Sequence, residues 1–444
     1  MNHSVIKQVI FDQIEVIKEA KIIDRGYTFE KSINYILVGL RRAGKSTLLY
    51  KVAQELVAAG CDWSQIIYVN FEDDRLLGFS VDDFNDIVET AHEITDAKDV
   101  YYFFDEIQII DGWEHFARRM ADQKKRVYIT GSNAKMLSSE MSKVLGGRYL
   151  PKMIMPFSFR EVLAYRKIEY DAAALLTTSK IGKIRKACQE YLTYGGFAEA
   201  QLLSDKREYI KSVYEKVLLG DIVEREQVKN KEALRLMIKK IAETVMREVS
   251  FNTLAGNVKA AGVKTSTDSM IEYASYADNA YLLFRTKNYV SKFAEKESIP
   301  RFYFYDNGLL SLFLVDKASA LLENAVAVYL KRNYGDDIYY FRSGQTGIDI
   351  DFYLPEEGCA IQVAYSLDGT EERELGNLVA FATKTAGVKR LVLVTNEEER
   401  VIEKDGYSIE VIPAYIFLYS GLEPQKWLRK YCREVETMDD STIK

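Results

Sequence analysis

The sequence predicts an α/β protein that opens on a doubly wound parallel sheet, and three observations carry that expectation. Four apolar runs, at residues 35–38, 66–71, 100–104 and 127–130, alternate with segments of helical spacing, the pattern of parallel strands joined by crossover helices. A loop of the form G-x-x-x-x-G-K-S, from Gly39 to Ser46, follows the first run directly. The third run ends in two carboxylates, Asp105 and Glu106, sixty residues after Lys45.

Ahead of the first strand, Val5, Val9, Ile10, Ile14 and Ile17 recur at helical spacing and read as an amphipathic surface helix packing on this domain. The stretch GLRRAGKST then joins a strand to the helical residues 46–56, so backbone N–H groups and a helix N-terminus face one point, which suits a polyphosphate. Gly39 and Gly44 let the main chain approach, with Leu40, Arg41, Arg42, Ala43 and Thr47 making up the rest of the cradle. Lys45 is placed to reach the β- and γ-phosphates and the Ser46 hydroxyl to sit on Mg²⁺. ATP and Mg²⁺ are the expected cofactors.

An apolar strand that ends in Asp105 and Glu106 suits a water-bridged Mg²⁺ contact through Asp105, with Glu106 polarising the attacking water. Because the run at 66–71 intervenes, the carboxylates come from the third strand in sequence, an order that resembles the additional-strand catalytic glutamate division of P-loop ATPases. The fourth run ends in ITGSNA, which resembles their polar sensor strand. Ser132 or Asn133 is read as holding the water or the γ-phosphate, with a plain turn as the alternative. Arg148 in LGGRY is a candidate for stabilising transition-state charge, in cis or from a neighbouring subunit.

Near Pro151 and Pro156 the pattern changes, and residues 157–241 read as a bridging helical region. Residues 242–300 suggest a winged helix: two short helices with Gly262 in the turn, a third near 265–277, and a β-rich wing near 281–289. Lys259, Lys264, Thr265 and Ser266 would face phosphates or bases if it binds duplex DNA; a packing module is the alternative. Residues 301–444 read as a separate α/β domain: a helix at 309–332, strands at 338–341, 348–353 and 359–365, a helix at 373–385 and a strand at 391–395. The acidic stretch 434–440 reads as a solvated tail.

Composition narrows the function classes. With 444 residues, 48% of them hydrophobic, the chain is long enough for several globular domains, the first at 1–156. Cys61, Cys188, Cys359 and Cys432 form no C-x-x-C pair, and the three histidines lack metal-ligand spacing, so neither a disulfide framework nor a zinc site is expected. No apolar run approaches a membrane span and no signal-peptide pattern is present, so a reducing cytoplasm is the expected compartment. The net charge of −6 argues against a strongly basic nucleic-acid wrapper and leaves room for a local basic face, a protein partner or a homo-oligomer.

GLRRAGKST, FFDEIQ, ITGSNA, LGGRY, PFSFREVL, YLTYGGFAEA, DIVERE and FYFYDNGLL occur here in the order seen in a widespread prokaryotic group. The chain resembles that group, which joins an AAA+-like ATPase domain to a C-terminal domain of unknown function, number 4143. The resemblance implies an ATP-binding core, a winged helix and a C-terminal fold similar to restriction-endonuclease-type nucleases. Such nucleases hold Mg²⁺ with an acid from a helix, an Asp from one strand and a Glu-x-Lys on the next. Glu323 and Asp351 match the first two, but the third strand reads AIQVAY. Gln362 stands where a carboxylate is expected and Ala364 where the lysine is expected, and Asp349 replaces no lysine, so the domain is read as catalytically dead.

The expected function is therefore an Mg²⁺-dependent ATPase switch whose output is binding. The alternatives are a nucleotide-sensing DNA-binding regulator, an active nuclease and, on the loop alone, a P-loop kinase.

Overall fold

The apolar runs at the start of the chain become the strands of one sheet. The structure is a computed structural model that describes residues 1–137, 143–289, 297–315 and 318–422; Cys432 and the acidic stretch 434–440 lie outside them. Two compact units result, Met1–Met155 with Asn279–Tyr281, and Pro156–Asp278 with the residues from Leu282 onward. No helix among the described residues is long and apolar enough to cross a membrane.

In the first unit α1 (His3–Glu19) buries Ile6, Val9, Ile10, Ile14 and Ile17, the stripe that its spacing predicts. Then follow β1 (Asn34–Val38), α2 (Lys45–Ala58), β2 (Ile66–Asn70), α3 (Phe84–Ile94), β3 (Tyr101–Asp105), α4 (Trp113–Asp122), β4 (Arg126–Gly131) and β5 (Tyr149–Met153). The sheet has the order β2-β3-β4-β1-β5 and every pairing is parallel. β1 and β3 are thus separated by β4 alone, and their C-terminal ends carry the loop and the paired carboxylates to the same edge of the sheet, where open α/β sheets bind ligands. β5 escapes the sequence reading because it is an edge strand with exposed Leu150 and Met153 and contains Pro151, whose missing N–H is tolerated only at an edge.

The second unit begins with α5 (Phe159–Tyr165), α6 (Ala172–Leu176), α7 (Thr178–Tyr194) and α8 (Lys206–Lys216), which runs on as a π-helical segment, Val217–Glu224. Next come α9 (Lys231–Glu243), α10 (Phe251–Ala260), α11 (Thr267–Asn279) and an antiparallel hairpin, β6 (Leu283–Asn288) and β7 (Arg301–Phe304). The remainder is α12 (Asn307–Ser311), α13 (Ala318–Tyr334), β8 (Tyr339–Arg342), β9 (Asp349–Leu354), β10 (Cys359–Val363), α14 (Glu371–Lys384), β11 (Arg390–Thr395), β12 (Arg400–Lys404), β13 (Tyr407–Pro413) and α15 (Ala414–Ser420). Its sheet of eight strands runs β12-β13-β11-β10-β9-β8-β6-β7. Because β6 bonds to β8, the hairpin continues the C-terminal sheet across residue 300.

The single helix expected at 309–332 is instead two, α12 and α13. Asp306 caps α12 by accepting the Gly308 N–H at 2.8 Å, and at its end the carbonyls of Ser311 and Leu312 are taken by the Arg207 guanidinium at 3.2 and 3.1 Å. Those carbonyls need no further helical turn.

The same place joins two of the quoted motifs. Asp306 of YDNGLL also accepts the N–H of Gly196 in YGGF at 2.7 Å. Gly195 has φ of +69°, and a Cβ on it would lie 2.0 Å from Asp306 Oδ1. Asn307 donates to the Leu192 and Leu321 carbonyls at 2.9 and 2.7 Å, and Asn324 donates to Asn307 Oδ1 at 2.8 Å. A fully paired buried network of this kind ties the end of α7 to α12 and α13.

Candidate active site

The loop after β1 has the backbone its glycines predict. Gly39 has φ of +147°, and a Cβ there would lie 1.9 Å from the Ile154 carbonyl oxygen; Gly44, at φ of +90°, is the N-cap of α2. A side chain at Gly39 would collide with backbone, so only glycine lets the loop turn there. Leu40 and Ala43 are buried, Arg42 and Thr47 are exposed, and Arg41 pairs with Glu72 at 2.9 Å. Lys45, only 4% exposed, donates to the carbonyls of Gly39 and Leu40 at 3.2 and 3.3 Å and lies 3.6 Å from Glu106.

Asp105 lies beside Ser46, whose hydroxyl draws the Asp105 carboxyl down. Asp105 is buried, with Tyr68 donating to Oδ2 at 2.7 Å and Thr130 donating to Oδ1. Burial, then the neighbouring charge of Glu106, pushes the Asp105 carboxyl above its ordinary range, while these donors pull it back. Glu106 differs: burial raises it, but the Lys45 ammonium and the Gln108 amide outweigh that and hold it below the usual carboxylate range. An ionised Glu106 next to Lys45 suits a proton acceptor.

Glu106 also has a left-handed backbone, φ 52° and ψ 40°. The Thr130 hydroxyl fixes it by accepting the Glu106 N–H at 3.0 Å while bonding Asp105. One threonine thus sets both acids. Strain of about 1–2 kcal/mol in a non-glycine residue is the kind stored where a side chain must be aimed.

Ser132 is buried beside Glu106 and helps to draw its carboxyl down. The Asn133 side-chain oxygen accepts the Lys135 N–H at 2.8 Å, as a turn former does. The structure places Arg148 elsewhere. Tyr149 pairs with Asn34, the first residue of β1, so Arg148 lies at the opposite end of the sheet from the loop, roughly 16 Å away along the strand. There it bonds Asp122, the last residue of α4, at 2.5 Å. In its own subunit Arg148 does not reach the phosphate cradle, which corrects the cis expectation.

Tyr68, Thr130, Gln108 and Arg25 were missed by sequence reasoning. Arg25 donates to the carbonyl of Ala43 within the loop and to that of Met155, each at 2.7 Å. It precedes the loop by fourteen residues in a segment without periodicity, so no spacing marks it. Tyr68 and Thr130 are hydroxyls within apolar runs, which is a signal only once strand register is known.

The donors present fit Mg²⁺. Ser46 and Asp105 offer oxygen alone, and a hard cation bound by one or two side chains plus phosphates and waters needs no more. In the second unit Glu323, Asp349 and Asp351 each approach Arg301, and Gln362 accepts the Asp351 N–H at 2.8 Å and donates to Glu374 at 2.7 Å. Ala364 is buried and brings no functional group. Lys259 and Lys264 are exposed near the turn between α10 and α11, Thr265 is half-buried, and Ser266 accepts the Ser269 N–H at 3.1 Å, capping α11.

Residues 31–163 match the AAA domain family. The matched stretch coincides with the sheet, loop and carboxylates of the first unit. Residues 185–320 match a domain of unknown function, number 8612, where the resemblance in the sequence pointed to number 4143 for the C-terminal part. An uncharacterised protein of Methanocaldococcus jannaschii is 29% identical over 423 residues, covering 92% of this chain and 93% of its own. Another, of Haemophilus influenzae, is 27% identical over 387 residues, covering 85% of this chain and 92% of its own. Among solved structures, a Walker-type ATPase of Pyrococcus abyssi aligns at 12% identity with a TM-score of 0.40, over 63% of this chain and 91% of that one.

Proposed function

We propose that this chain is a cytoplasmic, Mg²⁺-dependent ATPase that acts as a switch for the binding of a macromolecule. The observation that carries this reading is the meeting of Lys45, Ser46, Asp105 and Glu106 at one edge of the AAA domain's parallel sheet. Backbone N–H groups of the loop and the α2 N-terminus bind the phosphates, and Lys45 turns from the Gly39 and Leu40 carbonyls to the β- and γ-phosphates. Ser46 and Asp105 would hold Mg²⁺, which neutralises phosphate charge when bound. Glu106 takes a proton from the attacking water, aimed by its Thr130-fixed backbone and kept ionised by Lys45. Ser132 is placed to orient that water, whereas Asn133 serves the turn.

Phosphate release from ATP with Mg²⁺ tests the reading, for wild type, Lys45→Ala and Glu106→Gln, with and without duplex DNA. Lys45→Ala should lose ATP binding. Glu106→Gln should bind ATP and hydrolyse it about 100-fold or more slowly. Wild type that binds ATP without turnover would sink the ATPase reading.

A second reading, a nucleotide-sensing DNA-binding regulator, is supported by the succession α9, α10, α11 and the β6–β7 hairpin, a winged-helix order with exposed Lys259 and Lys264. It requires a DNA affinity that falls steeply with salt. For the C-terminal part, the succession of α13, three antiparallel strands, α14 and a parallel β11 supports a nuclease-like fold, and Gln362 and Ala364 support its being inactive.

A further inference from the structure

We propose that Arg25 is a positioning residue of the phosphate cradle: its guanidinium holds the Ala43 carbonyl away from the cradle and so turns the Gly44 N–H toward a bound polyphosphate. The inference rests on the reading of residues 39–47 as a nucleotide site, and it needs binding there but not hydrolysis.

Ala43 and Gly44 share one planar trans peptide, in which C=O and N–H point to opposite sides. Arg25 fixes the first of these: Nη1 donates to the Ala43 carbonyl and Nη2 to that of Met155, each at 2.7 Å. A cation on the Ala43 oxygen also takes up its partial negative charge, which an anion would otherwise meet. Gly44 is the N-cap of α2, and a Cβ on it would lie 3.2 Å from Arg25 Nη1. Its N–H therefore leads the N–H groups of Lys45, Ser46 and Thr47, which have no partner within the helix. The second arm of the fork gives the first a fixed base. Met155 follows β5, and its neighbour Ile154 donates its N–H to the Val38 carbonyl at the end of β1 at 2.7 Å.

Arg25 is itself placed by the helix that the loop opens. Residues 20–33 contain no helix or strand, and side-chain bonds from α2 seat them. Lys51 donates to Asp24 at 2.8 Å and to the Tyr27 carbonyl at 3.2 Å, so it grips the chain on both sides of Arg25. Asp24 Oδ1 also accepts the Gly26 N–H at 3.0 Å, which closes a turn about Arg25, and the Tyr27 ring lies 5.3 Å from the guanidinium carbon. A lysine at this position would keep the charge and lose the planar fork that reaches two carbonyls at once.

The test is equilibrium binding of ATP, ADP and inorganic tripolyphosphate, each with Mg²⁺, to the full chain as wild type, Arg25→Lys and Arg25→Gln, beside turnover at saturating ATP. Both variants should bind all three ligands about 10-fold or more weakly, tripolyphosphate included because the effect lies at the phosphates. The turnover number should stay within about twofold of wild type. Unchanged affinity in Arg25→Gln, wild-type affinity in Arg25→Lys, a loss for ATP and ADP that tripolyphosphate does not share, or a turnover number that falls while affinity holds would each overturn the inference. If Arg25→Gln does not fold, Arg25→Lys decides; failure of both to fold would make the arginine structural and overturn it as well. Wild type that binds these ligands without turnover would remove the ATPase reading and leave this inference to be decided by the affinities, whereas wild type that binds none of them would remove both.

Discussion

Thr130 governs more of the candidate site than an interior position of an apolar strand suggests. Its hydroxyl accepts from the Glu106 backbone and donates to Asp105, so it sets the strained turn and the Asp105 carboxylate together. Thr130→Val keeps shape and removes the hydroxyl. It should lower the turnover number about 10-fold and leave ATP affinity within a few-fold, because the proposed phosphate cradle is the loop and not β4. Steady-state kinetics beside equilibrium ATP binding check this; an equal loss of both would place Thr130's effect in the cradle itself. The motif FFDEIQ was legible in the sequence, but the threonine that aims it was not, since the link is made by the parallel pairing of β3 and β4.

Elements are held by contacts that sequence patterns only hint at. YGGF and YDNGLL stand more than a hundred residues apart, yet Asp306 bonds the Gly196 N–H and leaves no room for a side chain at Gly195. Asp306→Ala would strand two buried N–H groups and should cost about 2–4 kcal/mol, read as a lower urea midpoint. Burial pushes the Asp306 carboxyl up to about 6 from an ordinary 3.8, although the Gly196 and Gly308 N–H groups pull it down. Between those values the folded state holds a proton that the unfolded state has released, so stability falls as pH rises from about 4 to about 6. Asp351, also pushed up to about 6 by burial, adds to the same slope. Urea midpoints across that window should fall less steeply for Asp306→Asn than for wild type; an unchanged slope would mean Asp306 does not titrate there.

Across the molecule, the register of β5 decides what Arg148 can do. Pairing of Tyr149 with Asn34 sends the arginine to the end of the sheet away from the loop, against Asp122. Arg148→Ala should therefore leave hydrolysis within about twofold of wild type in dilute protein and cost under about 1 kcal/mol in stability, as for a surface ion pair. Turnover measured over a range of protein concentrations checks this. A drop confined to high concentration would assign Arg148 to a neighbouring subunit's site. Arg25 shows the opposite case: unmarked in the sequence, it bonds both the loop, at Ala43, and Met155, the residue at which the first unit ends.

The sequence by itself determined four of the first sheet's five strands, the positive-φ glycines of the loop and the acid pair at the end of β3. Those follow from local chemistry: apolar runs at strand length, glycines where φ must be positive and an acid pair at a strand end. Only the tertiary structure decided which groups surround the acids and which arginines count. Tyr68 and Thr130 reach Asp105, Arg301 reaches Asp351, and Arg148 is carried away from the loop, all through strand register and burial. Those relations join residues far apart in the chain, where spacing carries no information.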